Sequence, residues 1–327
     1  MKKTKLKGGS LSQVWLMEPD MGHPFVRKQV SLTKNREYGF QRWYSQLKRQ
    51  ERYAKMFPGI FPDVLDYGVL SDSIAYFDME YIANSITVHD HLLVTDDSKV
   101  IDGIVEMLFI TFDTMHQHSW KCARNPIELY FHEEVTTKLN DCQGHPDFDK
   151  FANADYIIFN GIEVKPITKQ LEKFKRYMVE YFTLTDQTFT HGNSTLENIL
   201  YVPSTKKMVF IDPYEENIID SPLCEYSQVY QSANSKYELY NAEIPVIGDH
   251  TVEMEIPDAP GLELFNLKFR RELNNRLRQD DMRLVDLLEI SQFIRMLPFK
   301  VQSGNADMMI FFFAHASNLF RVFEERL

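Results

Sequence analysis

The sequence predicts an α+β protein with a small β-rich lobe over residues 1–84 and a larger, mainly helical lobe over residues 85–327. Three observations predict this class. Short strand-like runs separated by turn residues dominate the N-terminal part. Helical periodicity dominates the remainder of the chain. A length of 327 residues also fits two domains of about 150 residues each.

The amino-acid composition argues against several classes of protein. Hydrophobic residues are 44% and charged residues 25%, as in ordinary globular proteins. The formal net charge of -11 argues against a nucleic-acid partner, because such proteins use Lys and Arg to neutralise phosphates. The three cysteines include no C-x-x-C pair, which argues against a disulfide framework or a zinc site. With no signal peptide and no apolar run long enough to span a bilayer, we expect a cytoplasmic protein.

The N-terminal lobe is predicted to follow the order β-β-α-β-β. Residues 12–31 form a hairpin around the turn residues Pro19 to Gly22. Apolar residues at i, i+3, i+4 and i+7 then predict a helix with one apolar face, made of Phe40, Trp43, Tyr44 and Leu47. Two further strands are expected at Val64–Val69 and Ala75–Tyr81.

The C-terminal lobe is predicted to be mostly helical. Residues 120–165 have an irregular pattern, apart from a hairpin whose type I′ turn is Asn160-Gly161. Two short strands are expected at Ile199–Val202 and Met208–Ile211. Helices are predicted at Ile101–Met115, Leu171–Tyr181, 262–277, 280–296 and 306–326.

The most informative segment is His191-Gly192-Asn193, with Asn198 five residues after Asn193 and Asp212 a further 14 residues on, across two strands and a turn. It resembles the catalytic loop and metal-binding segment of the protein-kinase-like superfamily. The closest likeness is to the aminoglycoside phosphotransferase and choline kinase branch, whose loop has the pattern H-G-D-x-x-x-x-N. The resemblance covers roughly residues 5–235 and implies a bilobal protein-kinase-like fold. It also implies a phosphotransferase that uses ATP, or another nucleoside triphosphate, with Mg²⁺.

The resemblance assigns roles to residues of both lobes. Asn198 and Asp212 correspond to the metal ligands, and Lys28 in Phe25-Val26-Arg27-Lys28 corresponds to the lysine that contacts the phosphates. Val26 shares a strand face with Lys28 and is expected to line the adenine. The phosphate loop is assigned to Gly8, Gly9 and Ser10, whose backbone N–H groups approach phosphate oxygens closely.

Two further features complete the predicted nucleotide site. Met79-Glu80-Tyr81-Ile82-Ala83 resembles a kinase hinge, so the Glu80 carbonyl and the Ile82 N–H group are expected to meet the adenine edge. The acidic partner of Lys28 is predicted on the following helix as Glu37, with Glu51 as the alternative.

The loop departs from the family at Asn193, where the family has Asp. An amide does not accept a proton as a carboxylate does. His191 and Asn193 are nevertheless the predicted catalytic residues, with Asn193 positioning the acceptor hydroxyl. In Ser221-Pro222-Leu-Cys-Glu225, Glu225 stands where the family usually has Asp.

Two functions therefore stay open. One is a kinase acting on a hydroxyl of a small molecule, with a sugar as the expected acceptor because residues 212–232 resemble kinases found with bacterial capsule and polysaccharide genes. The other is a pseudokinase that binds nucleotide or sugar and regulates a partner. Measuring nucleotide binding and ATP consumption separately distinguishes the kinase from the pseudokinase.

Overall fold

The computed structural model describes residues 1–6, 12–33, 36–71, 73–122, 126–184, 186–214 and 217–327, with residues 36–38 described as backbone only. It confirms the predicted fold class, because strands dominate the N-terminal part and helices the C-terminal part. The chain forms two compact units. The first contains Met1–His91, Glu106–Met115 and His191–Asn217. The second contains Leu92–Val105, His116–Thr190 and Ile218–Leu327.

The strands of the described residues are short, with eight residues in the longest. In chain order they are β1 (Lys2–Leu6), β2 (Ser12–Glu18), β3 (Phe25–Ser31), β4 (Val64–Ser71), β5 (Ile74–Glu80), β6 (Ile86–Thr87), β7 (Ser119–Lys121), β8 (Ile157–Phe159), β9 (Ile162–Val164), β10 (Asp186–Thr188), β11 (Ile199–Val202), β12 (Lys207–Phe210), β13 (Val246–Ile247) and β14 (Thr251–Glu253).

The α-helices range from a single turn to 24 residues. In chain order they are α1 (Arg36–Met56), α2 (Val88–Val94), α3 (Ser98–His116), α4 (Pro126–Phe131), α5 (Thr137–Asn140), α6 (Pro146–Asn153), α7 (Leu171–Tyr181), α8 (Pro222–Ala233), α9 (Tyr237–Ala242), α10 (Pro260–Arg276), α11 (Gln279–Gln302) and α12 (Ala306–Glu325).

The first unit is built on a five-stranded antiparallel sheet with the order β1-β2-β3-β5-β4. Because successive side chains of a strand point to opposite faces, one face of the sheet carries the apolar residues that pack against α1. Buried residues of this core are Leu32, Trp43, Leu47, Ala75, Phe77 and Met79.

The buried face of α1 is rotated from the predicted one. Trp43 and Leu47 are buried, as expected, but Phe40 is 43% and Tyr44 47% exposed. These two rings stack on each other, with centroids 6.1 Å apart. Gln46, whose side chain is of a type usually found at the surface, takes a buried position beside Leu47.

A second sheet of the first unit brings the loop at residues 191–198 next to Asp212. Its strand order is β12-β11-β6, and β11 and β12 pair antiparallel with Ile199 opposite Phe210. Just beyond this pair, the Ile211 N–H group donates to the Asn198 carbonyl at 2.9 Å. The hairpin therefore fixes the backbone at Asn198 close to the residue that precedes Asp212.

In the second unit, α11 packs against α7, α8 and α12. The prediction that residues 120–165 are irregular was wrong, since α4, α5 and α6 lie there with a π-helical turn at His132–Thr136. The Asn160-Gly161 hairpin was predicted correctly, and its strand β8 also pairs in parallel with β14. Within the described ranges, no helix is long and apolar enough to cross a bilayer.

Candidate nucleotide and metal site

Strand β3 places Lys28 on the inner face of the first unit's sheet. Lys28 lies opposite Phe77 of β5 and is only 6% exposed. Val26, two residues earlier, packs partly buried against the same core. Arg27 points to the other face, where its guanidinium makes two 2.6 Å hydrogen bonds to Asp78. The alternation predicted for Val26 and Lys28 is thus the one that the strand adopts.

The Lys28 ammonium contacts two side chains, those of buried Gln46 and partly exposed Asp212. It donates to Gln46 Oε1 at 2.9 Å and to Asp212 Oδ1. Gln46 Nε2 also donates to Asp212 Oδ1, and to the Pro213 carbonyl at 3.2 Å. Lys28, Gln46 and Asp212 therefore form a closed triad, in which each member touches the other two.

Sequence reasoning missed Gln46, and expected an acidic partner for Lys28 instead. The side chain of Glu37 lies outside the described residues, so its pairing with Lys28 stays a prediction. Glu51, the alternative, forms a 2.7 Å ion pair with Lys48. The signal for Gln46 was its spacing, three residues after buried Trp43, which places a polar amide on the core-facing side of α1.

Electrostatics keep Asp212 ionised despite its setting. Burial by itself would raise the pKa of this carboxyl, but the Lys28 ammonium beside it lowers the pKa, and the net result is a pKa below the usual value. His191 and Arg42 lower the pKa in the same direction. Asp212 also has a left-handed backbone, with φ of 61°. Such a conformation is costly for a residue other than glycine, and it is often found at functional sites.

His191 anchors the predicted catalytic loop rather than facing a substrate. Its ring is fully buried and lies between Phe61 and Phe210. Nε2 donates to the Ile211 carbonyl at 2.8 Å, and Nδ1 accepts from the Asn193 N–H group at 3.2 Å. Both ring nitrogens are thus used to hold the backbone, which favours a positioning role over the catalytic role predicted for this residue.

The loop around Asn193 is tied to Asn198. Asn198 Nδ2 donates to the Asn193 carbonyl at 2.9 Å and to Thr195 Oγ1 at 3.1 Å. Gly192 has φ of +77°, and a Cβ atom at this position would clash with the side-chain amide of Asn217. The backbone angle therefore favours glycine, and any larger residue would also force the Asn217 side chain to move.

The residues present suit a divalent cation. Lys28 and Gln46 both bind Oδ1 of Asp212, which leaves Oδ2 as its second oxygen. Among the described residues, the NH₂ group of Asn198 makes two hydrogen bonds, and the carbonyl oxygen of the same side chain is the atom that would take a ligand. A carboxylate and an amide oxygen are hard donors of the kind that Mg²⁺ takes together with phosphate oxygens and water.

The other predicted nucleotide contacts lie at the end of β5 or outside the described residues. Met79 is buried opposite Val26, and exposed Glu80 ends the strand. The Ile82 carbonyl accepts a 2.7 Å hydrogen bond from Ser85 Oγ. Gly8, Gly9 and Ser10, the predicted phosphate loop, lie outside the described residues.

Glu225 belongs to the second unit, where it is fully buried on α8. One of its carboxylate oxygens lies 3.5 Å from His116 Nε2. Ser221 caps α8 by accepting a hydrogen bond from the Leu223 N–H group at 3.2 Å. The segment resembling the family's post-loop motif therefore starts a helix whose first turns are buried.

Solved structures of small-molecule phosphotransferases share the fold over nearly the whole chain. A thermostable mutant of aminoglycoside phosphotransferase APH(4)-Ia, in a ternary complex with ADP and hygromycin B, has a TM-score of 0.59 at 12% identity, covering 98% of this chain and 93% of that chain. The GDP and kanamycin complex of APH(2")-IIia has a TM-score of 0.60 at 13% identity, covering 99% and 92%. Amicoumacin kinase hAmiN in complex with AMP-PNP, Ca²⁺ and Ami has a TM-score of 0.54 at 11% identity, covering 97% and 88%.

These likenesses establish the kinase-like fold. Comparison with protein-family models gives no match. Comparison with curated proteins gives none either.

Proposed function

We propose that this chain is a nucleotide-dependent phosphotransferase that acts on a hydroxyl group of a small molecule. One observation carries the proposal: Lys28 and Asp212, which come from distant parts of the sequence, meet inside one compact unit. The Asn198 backbone lies beside the residue that precedes Asp212, because its carbonyl accepts a 2.9 Å hydrogen bond from the Ile211 N–H group. The fold of known small-molecule phosphotransferases supports this interpretation.

Each of these residues has a role in the proposed reaction. Lys28 binds phosphate oxygens of ATP or another nucleoside triphosphate, and Asn198 and Asp212 hold Mg²⁺. When bound, the metal neutralises charge that develops on the transferred phosphoryl group. Val26 and the end of β5 at Glu80 line the base of the nucleotide. His191 keeps the loop in place through its two backbone hydrogen bonds.

Asn193 positions the acceptor hydroxyl in this proposal, and a sugar is the acceptor that we propose. Phosphoryl transfer depends mostly on positioning and electrostatics, and its transition state is loose. An amide that holds the hydroxyl in line is therefore compatible with transfer. The missing carboxylate still removes the group that accepts the hydroxyl proton in kinases.

A specific observation favours a second candidate, a binding module without turnover. Among the described side chains, Gln46 rather than a glutamate bonds to Lys28, whereas active protein kinases require a Lys–Glu ion pair. Together with Asn193, this makes two neutral amides where catalysis usually employs carboxylates. Such a module binds nucleotide through Lys28 and its neighbours and regulates a partner.

Comparing wild type with Asn193→Asp separates the two candidates. A general base typically contributes about 10²–10⁴-fold, so a phosphotransferase should show at least about tenfold faster ATP consumption in the variant. The assay is release of ADP from Mg·ATP with a panel of sugars and alcohols. Asn84→Asp is the matched control, because Asn84 is exposed in the same unit and the change in charge is equal.

The outcomes have distinct meanings. Nucleotide binding with turnover in neither protein supports the binding module and contradicts the phosphotransferase. Failure of calorimetry to detect ATP or GTP binding, with or without Mg²⁺, contradicts both candidates.

A further inference from the structure

Gln46 joins the two charged residues on which the proposed function rests. Lys28 and Gln46 are 6% and 7% exposed, whereas the Asp212 side chain is 32% exposed, so the triad is buried at Lys28 and Gln46 and partly open to water at Asp212. The Gln46 amide is both an acceptor and a donor in the triad, because Oε1 accepts a hydrogen bond from Lys28 while Nε2 donates one to Asp212. A glutamate at this position would accept from Lys28 but would have no hydrogen to donate to Asp212.

On the basis of the proposed function, we infer that Gln46 is a positioning residue that holds Asp212 closed against Lys28. A divalent cation and a phosphate ligand then bind cooperatively, because each needs one member of the same ion pair. Neither ligand alone is well accommodated by the closed triad.

The cooperativity follows from the charges. A phosphate group that draws Lys28 away leaves the Asp212 carboxylate without its cation. A metal that draws Asp212 away leaves the Lys28 ammonium with the neutral Gln46 oxygen alone among the triad. Removing one partner leaves the other charge unpaired, which is most unfavourable for Lys28 because its side chain is buried. When both ligands are present, phosphate takes the ammonium, the metal takes the carboxylate, and no charge is left unpaired.

Coupling of this kind is reciprocal. If the phosphate ligand raises the affinity for the metal by some factor, the metal raises the affinity for the phosphate ligand by the same factor. Gln46→Glu should weaken the coupling, since the introduced carboxylate competes for Lys28 and repels Asp212. The carboxylate of Asp212 would then be available to a metal before any phosphate ligand arrives.

The test titrates the full chain with Mn²⁺, first alone and then with ADP, and follows free Mn²⁺ by electron paramagnetic resonance. Hydrogen bonds to charged groups are individually worth about tenfold in an equilibrium constant. Gln46→Glu should therefore bind Mn²⁺ alone at least about tenfold more tightly than wild type. The factor by which ADP raises the Mn²⁺ affinity should be smaller in the variant than in wild type, again by at least about tenfold. Chelation of Mn²⁺ by ADP in solution is equal for both proteins and cancels in this comparison.

Arg42→Gln is the control for charge alone. Arg42 acts electrostatically on Asp212, so its replacement makes the surroundings more negative by one charge while Gln46 keeps its hydrogen bonds. Because Arg42 is partly exposed, we expect its effect on Mn²⁺ affinity to be smaller than that of Gln46→Glu.

Three results would overturn the inference. They are equal Mn²⁺ affinity in wild type and Gln46→Glu, an effect of Arg42→Gln as large as that of Gln46→Glu, and a wild-type Mn²⁺ affinity that ADP does not change once the chelation measured with ADP and no protein is subtracted. The last result needs no variant and so does not depend on the variant folding. In each case, ADP that still binds leaves the proposed function standing, whereas ADP that never binds contradicts the proposed function itself.

Discussion

Glu289 should make the stability of this protein fall between weakly acidic and neutral pH. It lies on α11 in the second unit and is 2% exposed. Burial raises the pKa of this carboxyl from 4.5 to about 7, although Ser235 and Asn234 donate hydrogen bonds that oppose the rise. Their donor atoms lie 2.5 Å and 3.0 Å from Glu289 Oε1. Asp286 adds to the rise and Arg270 opposes it.

The sign follows from the direction of the pKa change. The folded protein holds the Glu289 proton more tightly than the unfolded chain, so the proton stabilises the fold. This stabilisation is fully present below the unfolded pKa of 4.5 and is lost as the pH rises through about 7. A pKa difference of about 2.5 corresponds to a loss of about 3 kcal/mol in the free energy of unfolding.

Glu289→Gln should remove this pH dependence, because a glutamine resembles the protonated carboxyl in shape and charge. The free energy of unfolding, measured by urea denaturation and circular dichroism, should differ little between the proteins at pH 5. At pH 8 the variant should be more stable by up to about 3 kcal/mol. Taking the difference between the proteins removes the contributions of other titrating groups. Glu272→Gln is the control, since Arg276 lowers the pKa of that partly exposed carboxyl. A difference that is the same at pH 5 and pH 8 would refute the assigned titration.

Two further predictions concern the geometry of the first unit. Gly192→Ala should destabilise the protein by about 2 kcal/mol or more, because it combines a left-handed backbone with a clash against Asn217. Gly144→Ala is the control, since Gly144 has a similar φ of +84° but its added Cβ would meet no described atom within 4 Å. Thermal unfolding should therefore show a smaller loss of stability for Gly144→Ala than for Gly192→Ala. Equal melting temperatures of the two variants would contradict the clash. Trp43→Ala should cost about 3–5 kcal/mol, as for a large core side chain, and Tyr44→Ala about 1 kcal/mol or less. Similar losses in urea denaturation would show that the buried face of α1 has been assigned incorrectly.

The sequence predicted the elements whose signals are local. The pair β11 and β12 and the hairpin of β2 and β3 have short apolar runs on each side of a turn, so their positions could be predicted closely. The contact between Lys28 and Asp212 could not be predicted from local sequence patterns, because these residues are 184 positions apart. Only the likeness of two separate motifs to one family brought them into a common prediction.

Other features escaped prediction for physical reasons. Strand β1 is rich in lysine and shows no apolar alternation, but it pairs with β2, and Lys2 forms a 2.9 Å ion pair with Glu18. The helices between Pro126 and Asn153 are short, so too few turns are present to establish a 3.6-residue period. The orientation of α1 was wrong because Phe40 and Tyr44 satisfy the apolar pattern while stacking on each other near the surface.

Gln46 escaped prediction because an amide on a helix is usually exposed, and its placement has consequences for the charge of the site. In protein kinases, a glutamate contacts the lysine and an aspartate lies in the catalytic loop. Among the described side chains, neutral amides stand at both places, and the four residues Lys28, Gln46, Asn193 and Asp212 together carry no net charge. A cation arriving alone meets little negative charge and must break an ion pair to reach Asp212. The phosphates of a nucleotide supply the missing charge and also release the carboxylate from Lys28. Gln46 thus makes metal binding depend on the nucleotide, whereas Asn193 removes the usual acceptor for the hydroxyl proton, so restoring a carboxylate at position 193 alone would leave that dependence in place.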